Sequence, residues 1–221
     1  MRRVLCIIGV AVAMSACGGG GSSPTTPTTP TTPTTPTQPN RAPTITAMNM
    51  TAFGIQDLST FNYSASASDL DGDAITYTWD IAGNPAVGTS GSISWSSGGT
   101  GLARLTVSDG KGGSATDTRT FIVGTMTGRW TGKWDVWDMT SNLKQQSGGL
   151  ITGDYFDQLG QGSLDNAVAN TITSSGNIKL RYKSSVYSDF TFTGKMDSTG
   201  RRITGVVNGS GYKDYPFTIT K

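Results

Sequence analysis

The stretch Ser66–Asp80, SASDLDGDAITYTWD, decides how the first half of this 221-residue chain is read. It sets Asp69, Asp71, Asp73 and Asp80 close together around Gly72. Before it, FNYSASA (61–67) puts Phe61, Tyr63, Ala65 and Ala67 on one face of a strand. After it, AITYTWDI (74–81) does the same with Ile75, Tyr77, Trp79 and Ile81. Gly frees the backbone for a tight turn, and Asp side chains hydrogen-bond their own backbone two residues on, so DLDGD reads first as the turn between strands. Two other readings are a calcium site and a pair of catalytic carboxylates. An EF-hand fails, because that loop needs Gly at its sixth position, where Ala74 stands, and Glu at its twelfth, where Asp80 stands.

Working outward, LARLTVSD (102–109) and TRTFIV (118–123) repeat the alternation, with Gly-, Ser- and Asp-rich turns between. The chain holds 30 Gly and shows no sustained helical period, so the fold class is all-β. All 15 acidic side chains are Asp, and there is no His. Ser-His-Asp, Cys-His and His-ligated metal chemistry are therefore excluded.

The N-terminus, MRRVLCIIGVAVAMSAC, has two arginines, an apolar run too short to span a bilayer, and small residues before Cys17. That is the pattern of a secretory signal. MSAC resembles the lipobox of bacterial lipoproteins, which implies that residues 1–16 are removed and that Cys17 is acylated as the first mature residue. Cys6 leaves with the signal, so Cys17 has no intramolecular partner and no disulfide framework forms. The resemblance implies a protein anchored to a membrane through lipid, in the cell envelope, at the outer membrane or cell surface. Without Arg2 and Arg3 the mature chain carries 15 basic and 15 acidic side chains. No basic stripe is left to neutralise phosphates, and nucleic acid is not an expected partner. Residues 17–40 hold GGGGSS and then Pro at every third position from Pro24 to Pro39. Such a segment buries nothing and reads as a disordered, extended stalk of roughly 50 Å at about 3.1 Å per residue.

In residues 41–124, APTI (42–45), SDLDGDAITYTWD (68–80) and ARLTVSDGKGGSATDT (103–118) together resemble a PKD domain or a closely related bacterial Ig-like or cadherin-like module. WDIAGNP stands where many PKD domains continue WDFGDG, so the Ig-like alternative stays open. The resemblance implies a β-sandwich in which Trp79 is a buried strand residue. Some relatives bind calcium through acidic turns, and the matching positions here are Asn40, Asp69, Asp71 and Asp109. No other cofactor is expected.

Residues 125–221 start a second pattern of short strands and Gly, Asp-Ser and Asn-Gly turns, enough for a small antiparallel up-and-down β-barrel, with a sandwich as the competing fold. GRW (128–130) resembles the G-x-W start of lipocalin-like and avidin-like barrels. Trp130, Trp134 and Trp137 are the candidate ligand-binding residues. On one continuous strand Trp130 and Trp134 share a face and Trp137 takes the other. Trp130 as a floor plug and Trp134 as core are favoured over a ligand-lining role. A hydrolase would need a His-free mechanism from Asp pairs such as Asp154 and Asp157, whose Gly-rich setting makes them turn formers first. Residues 41–124 carry 4 basic and 7 acidic side chains, and residues 125–221 carry 11 and 8.

The expected function is that of a non-enzymatic lipoprotein for surface display or adhesion, binding an extracellular protein or polysaccharide. The alternative is a carrier holding a small apolar or sugar-like ligand inside the barrel. A packed or hollow barrel interior separates the two.

Overall fold

The Asp-rich turn joins two strands that do not pair with each other. β3 (Thr60–Ser68) lies in a three-stranded sheet, between β1 (Thr44–Met50) and β6 (Ser90–Ser94). β4 (Thr76–Ile81) lies in a five-stranded sheet ordered β2 (Phe53–Ile55), β8 (Ser114–Gly124), β7 (Gly99–Ser108), β4, β5 (Asn84–Val87). All neighbours are antiparallel except β2, which runs parallel to β8. The inward face of each strand follows the alternation of the sequence. Phe61 and Tyr63 from one sheet meet Trp79, Leu105 and Phe121 from the other, all buried. Tyr63 and Trp79 have ring centroids 4.8 Å apart, and the Trp79 indole N–H donates to the Gly88 carbonyl at 2.9 Å. Burying each such side chain is worth about 1.5–3 kcal/mol, which is what fixes the register.

This computed structural model describes residues 38–158, 160–184 and 188–221. Cys17 and the stalk up to residue 37 lie outside the described residues, as does the rest of 1–37. Pro39–Lys221 forms one compact unit.

After Gly124 only three residues separate β8 from β9 (Gly128–Trp134). β9 pairs in turn with β10 (Trp137–Gln145), β10 with β11 (Ile151–Asp157) and β11 with β12 (Gly160–Leu164). On the other side of β9 stands β17 (Tyr212–Thr220), followed by β16 (Arg202–Gly209), β15 (Phe190–Met196) and β14 (Asn177–Ser184). The ring closes where β12 pairs with β14, at Gly162–Leu164 against Tyr182–Ser184. Eight antiparallel strands thus form a closed barrel, and the two-residue β13 (Thr171–Ile172) adds a flap on β14. The competing sandwich for this half is not what forms.

A loop of the sandwich closes one end of the barrel. Ile55, at the end of β2, is fully buried among barrel residues, and Phe53 and Leu58 pack on the same cluster. Polar groups tie the join: the buried Gln145 amide donates to the Gln56 carbonyl at 2.9 Å and accepts from the Met126 N–H at 2.9 Å. The Gln56 N–H donates to the Gly124 carbonyl at 2.9 Å.

Candidate functional site

The four residues expected to hold calcium meet at the sandwich end away from the barrel, where the entering chain touches the turns after β3 and β7. Each carboxylate there is engaged by N–H donors. One Asp109 oxygen accepts from the backbone of Lys111 and Gly113 at 2.7 and 2.9 Å, and the other from the Asn40 amide at 2.8 Å. Both Asp71 oxygens accept from Arg41, through its backbone N–H at 2.6 Å and its guanidinium at 2.8 and 3.0 Å. One Asp69 oxygen accepts from the backbone of Asp71 and Asp73 at 2.8 and 3.3 Å, and the other is buried without a partner. The Asn40 side chain holds the Asp109 carboxyl below the usual carboxylate range, and the Arg41 guanidinium does the same for Asp71. Calcium takes six to eight oxygens. Here five of the six carboxylate oxygens already accept hydrogen bonds, and the positive charge comes from Arg41. Among the described residues no three acidic side chains stand together as a metal site. The sequence pattern pointed at Asn40 and the aspartates but not at Arg41, whose role depends on residues 30 positions away.

The three tryptophans are brought together in a different way from a single strand. Trp130 is fully buried and its indole N–H donates to the Met126 carbonyl at 2.8 Å. Trp134 is fully buried too, and its indole reaches the Asp157 carboxylate at 3.4 Å. Trp137, expected on the opposite face, is the direct cross-strand partner of Trp134 and so shares its face. The cause is a two-residue hairpin turn, Asp135–Val136, with Asp135 at φ 51°. The chain reverses between the two tryptophans, and strand alternation does not carry through a reversal.

The barrel interior is filled. Rings run through it in contact: Tyr155 to Tyr182 at 4.9 Å between centroids, Tyr182 to Phe192 at 5.2 Å, Phe192 to Phe217 at 5.2 Å and Trp134 to Phe190 at 5.2 Å. Glycines at inward positions make the room. A Cβ on Gly205 or Gly194 would stand 2.7 or 2.9 Å from the Phe217 ring. Large and small residues interdigitate in this way when a small barrel is packed solid. Burial raises the Tyr182 and Tyr155 hydroxyls well above the usual phenol range, the second helped by the Asp157 carboxylate to which it donates.

Asp154 and Asp157, expected in a turn, lie on β11, where Asp154 is exposed on the outer wall and the half-buried Asp157 is held by Trp134 and Tyr155. They occupy opposite faces and do not form a carboxylate pair. Exposed apolar groups sit instead on the outside, with Val136 and Tyr215 at the barrel end away from the sandwich and Phe156 on the wall. A shallow concavity of about 520 Å³ beside Phe156 is lined by Asp154, Ser163 and Lys183.

The sequence profile of the bacterial Ig domain family matches residues 40–122. Among solved structures, the PKD1 domain of Vibrio anguillarum Epp is 29% identical to this chain, with 38% of this chain and 96% of that one covered and a TM-score of 0.33. A structure described as the basis for promiscuous specificity of carbohydrate-binding modules from the β-sandwich superfamily is 14% identical, with 82% and 90% covered and a TM-score of 0.38. No curated protein matches the chain.

Proposed function

We propose that this is a non-enzymatic lipoprotein of the cell envelope, anchored through Cys17, that displays a binding module and engages an extracellular polysaccharide or protein with its outer surface. The observation that carries the choice is the ring-filled barrel, in which the side chains a carrier needs around its ligand are in contact with one another. The bacterial Ig match over residues 40–122 supports a display module, and the lipobox resemblance supports the anchor.

The test takes the mature chain with a fluorescent fatty-acid analogue and a set of small sugars, then with immobilised polysaccharides and surface-protein extracts. Retention on a polymer with no uptake of the small ligands is the expected result. Stoichiometric uptake that quenches the buried tryptophans overturns the reading in favour of the carrier. Separately, Cys17→Ser should move the protein from the detergent to the aqueous phase on partition. Unchanged partition removes the anchor from the proposal.

A further inference from the structure

Two concavities share a floor where the sandwich meets the barrel. The wider, about 280 Å³, lies between Thr100 and Thr125 on one side and the barrel turn Thr199–Arg201 on the other, with Lys221 at its edge. The narrower, about 130 Å³, continues the groove to Trp95. The common floor is Gly98 and Gly99 with Thr100 and Val123. The join is close: a Cβ on Gly98 would clash 2.6 Å from the Thr125 Cβ, and one on Gly200 would be tight at 3.1 Å from the Gly124 Cα. The wider concavity therefore needs both halves, while the narrower one is walled by sandwich residues.

Its two charged side chains are both cationic. Arg201 and Lys221 lie near enough to repel, and burial together with that repulsion holds the Lys221 ammonium below its usual range. Neither has an ion-pair partner among the described residues. Asp197, in the same turn as Arg201, instead accepts from the backbone N–H and hydroxyl of Thr199 at 3.1 and 2.6 Å. Lys221 donates to the Thr127 carbonyl and stands 5.7 Å from the centroid of the Trp130 ring. At the far end, the Trp95 indole N–H is buried with no partner while its ring packs on Phe121 at 5.3 Å. Two like charges in a cleft disfavour each other until an anion enters, and a buried donor without an acceptor is rare in a finished structure.

We propose that this groove binds an anionic saccharide unit, its carboxylate or sulfate set at Arg201 and Lys221, its hydroxyls among the threonines, and its ring against Trp95. The inference rests on the outer-surface binding reading and names the ligand class for it. Cations fix the charged group, hydroxyl side chains match a polyol, and a half-buried indole offers an apolar face to a sugar ring. Ligand sites favour such seams between two packed bodies.

Affinity electrophoresis tests it, with the full soluble Cys17→Ser chain run in gels containing polygalacturonate, a neutral glucan of similar length, or no polymer. Retardation by polygalacturonate alone is expected. Arg201→Gln, at an exposed position, should weaken it about tenfold, the size of a charge-assisted contact, and Trp95→Phe less. Lys179→Gln on the barrel wall should leave it unchanged. Equal retardation of wild type and Arg201→Gln overturns the assignment to the seam. Equal retardation by the neutral glucan overturns the anionic class and leaves the outer-surface reading standing. Inorganic sulfate competing as well as an oligogalacturonate, at matched ionic strength, overturns the saccharide assignment. Failure on every polymer and extract overturns both readings.

Discussion

The two ends of the sandwich solve loop burial by opposite means. At the Asp-rich end, Asp69, Asp71 and Asp109 fold back on their own turns and on the entering Asn40–Arg41, so the loops are satisfied locally by polar groups. At the other end, Phe53 and Ile55 of β2 and Leu58 in the turn after it make an apolar edge that the sandwich does not bury. It inserts into the barrel instead. One end is held by its own polar contacts, with a single Asp69 oxygen left over, and the other is complete only against a neighbour. A change at the second should be felt well beyond the strands that carry it.

The largest effect is expected from Ile55→Ala, which empties a fully buried site in the barrel cluster while altering only a sandwich residue. A loss of about 2–5 kcal/mol is expected from a buried Ile. Urea unfolding followed by tryptophan fluorescence should show one transition at lower denaturant. Separate sandwich and barrel transitions, with the barrel unmoved, would break the comparison.

Gln145→Ala comes next. It removes the buried amide from the Gln56 carbonyl and the Met126 N–H, and leaving such groups unpaired costs about 1–3 kcal/mol. Gln145→Glu keeps the acceptor for the Met126 N–H but sets a buried carboxylate oxygen against the Gln56 carbonyl, so it should be no more stable than Gln145→Ala at neutral pH and should gain as pH falls and the carboxyl protonates.

At the polar end the expected effects are smaller and depend on pH. The folded-state carboxyls of Asp71 and Asp109 are held below their ordinary range by hydrogen bonds. A depressed carboxyl contributes stability that is present above its unfolded-state value, near 3.9, and that is lost as pH falls through the folded value. Melting temperatures should therefore be flat above about pH 5 and fall below it. Asp109→Asn should flatten the acid limb in part. An unchanged limb in that variant would assign the acid sensitivity elsewhere.

The smallest effect is expected from calcium. Arg41 supplies the positive charge at Asp71, so wild type and Asp71→Asn should each melt at nearly the same temperature with calcium and with chelator. A wild-type rise of more than about 5 °C would show an ion bound at this end and make the polar end, too, dependent on a partner.

These two ends also mark how far the sequence was readable. DLDGD carried its own explanation, because an Asp that caps its own backbone is a local event and leaves a local pattern. The alternating faces of β3 and β4 were legible for the same reason, as was the run of barrel strands. Phe53, Ile55 and Leu58 left no comparable signal, since the surface that buries them is built from residues of the barrel. Strand alternation alone puts Trp137 on the wrong face, because the reversal at Asp135–Val136 has none of the glycine that usually marks a two-residue hairpin. The groove residues Trp95, Arg201 and Lys221 are far apart in the chain and come together only at the seam.

The direct run of β8 into β9 has a mechanical side. The chain enters the sandwich at β1 from the Asp-rich end and leaves through β8 at the barrel end. Tension applied between residue 40 and the barrel would therefore act along the strands. The rungs of β1 against β3, and of β8 against β7, then bear the force side by side, in shear, and must yield together instead of opening one after another.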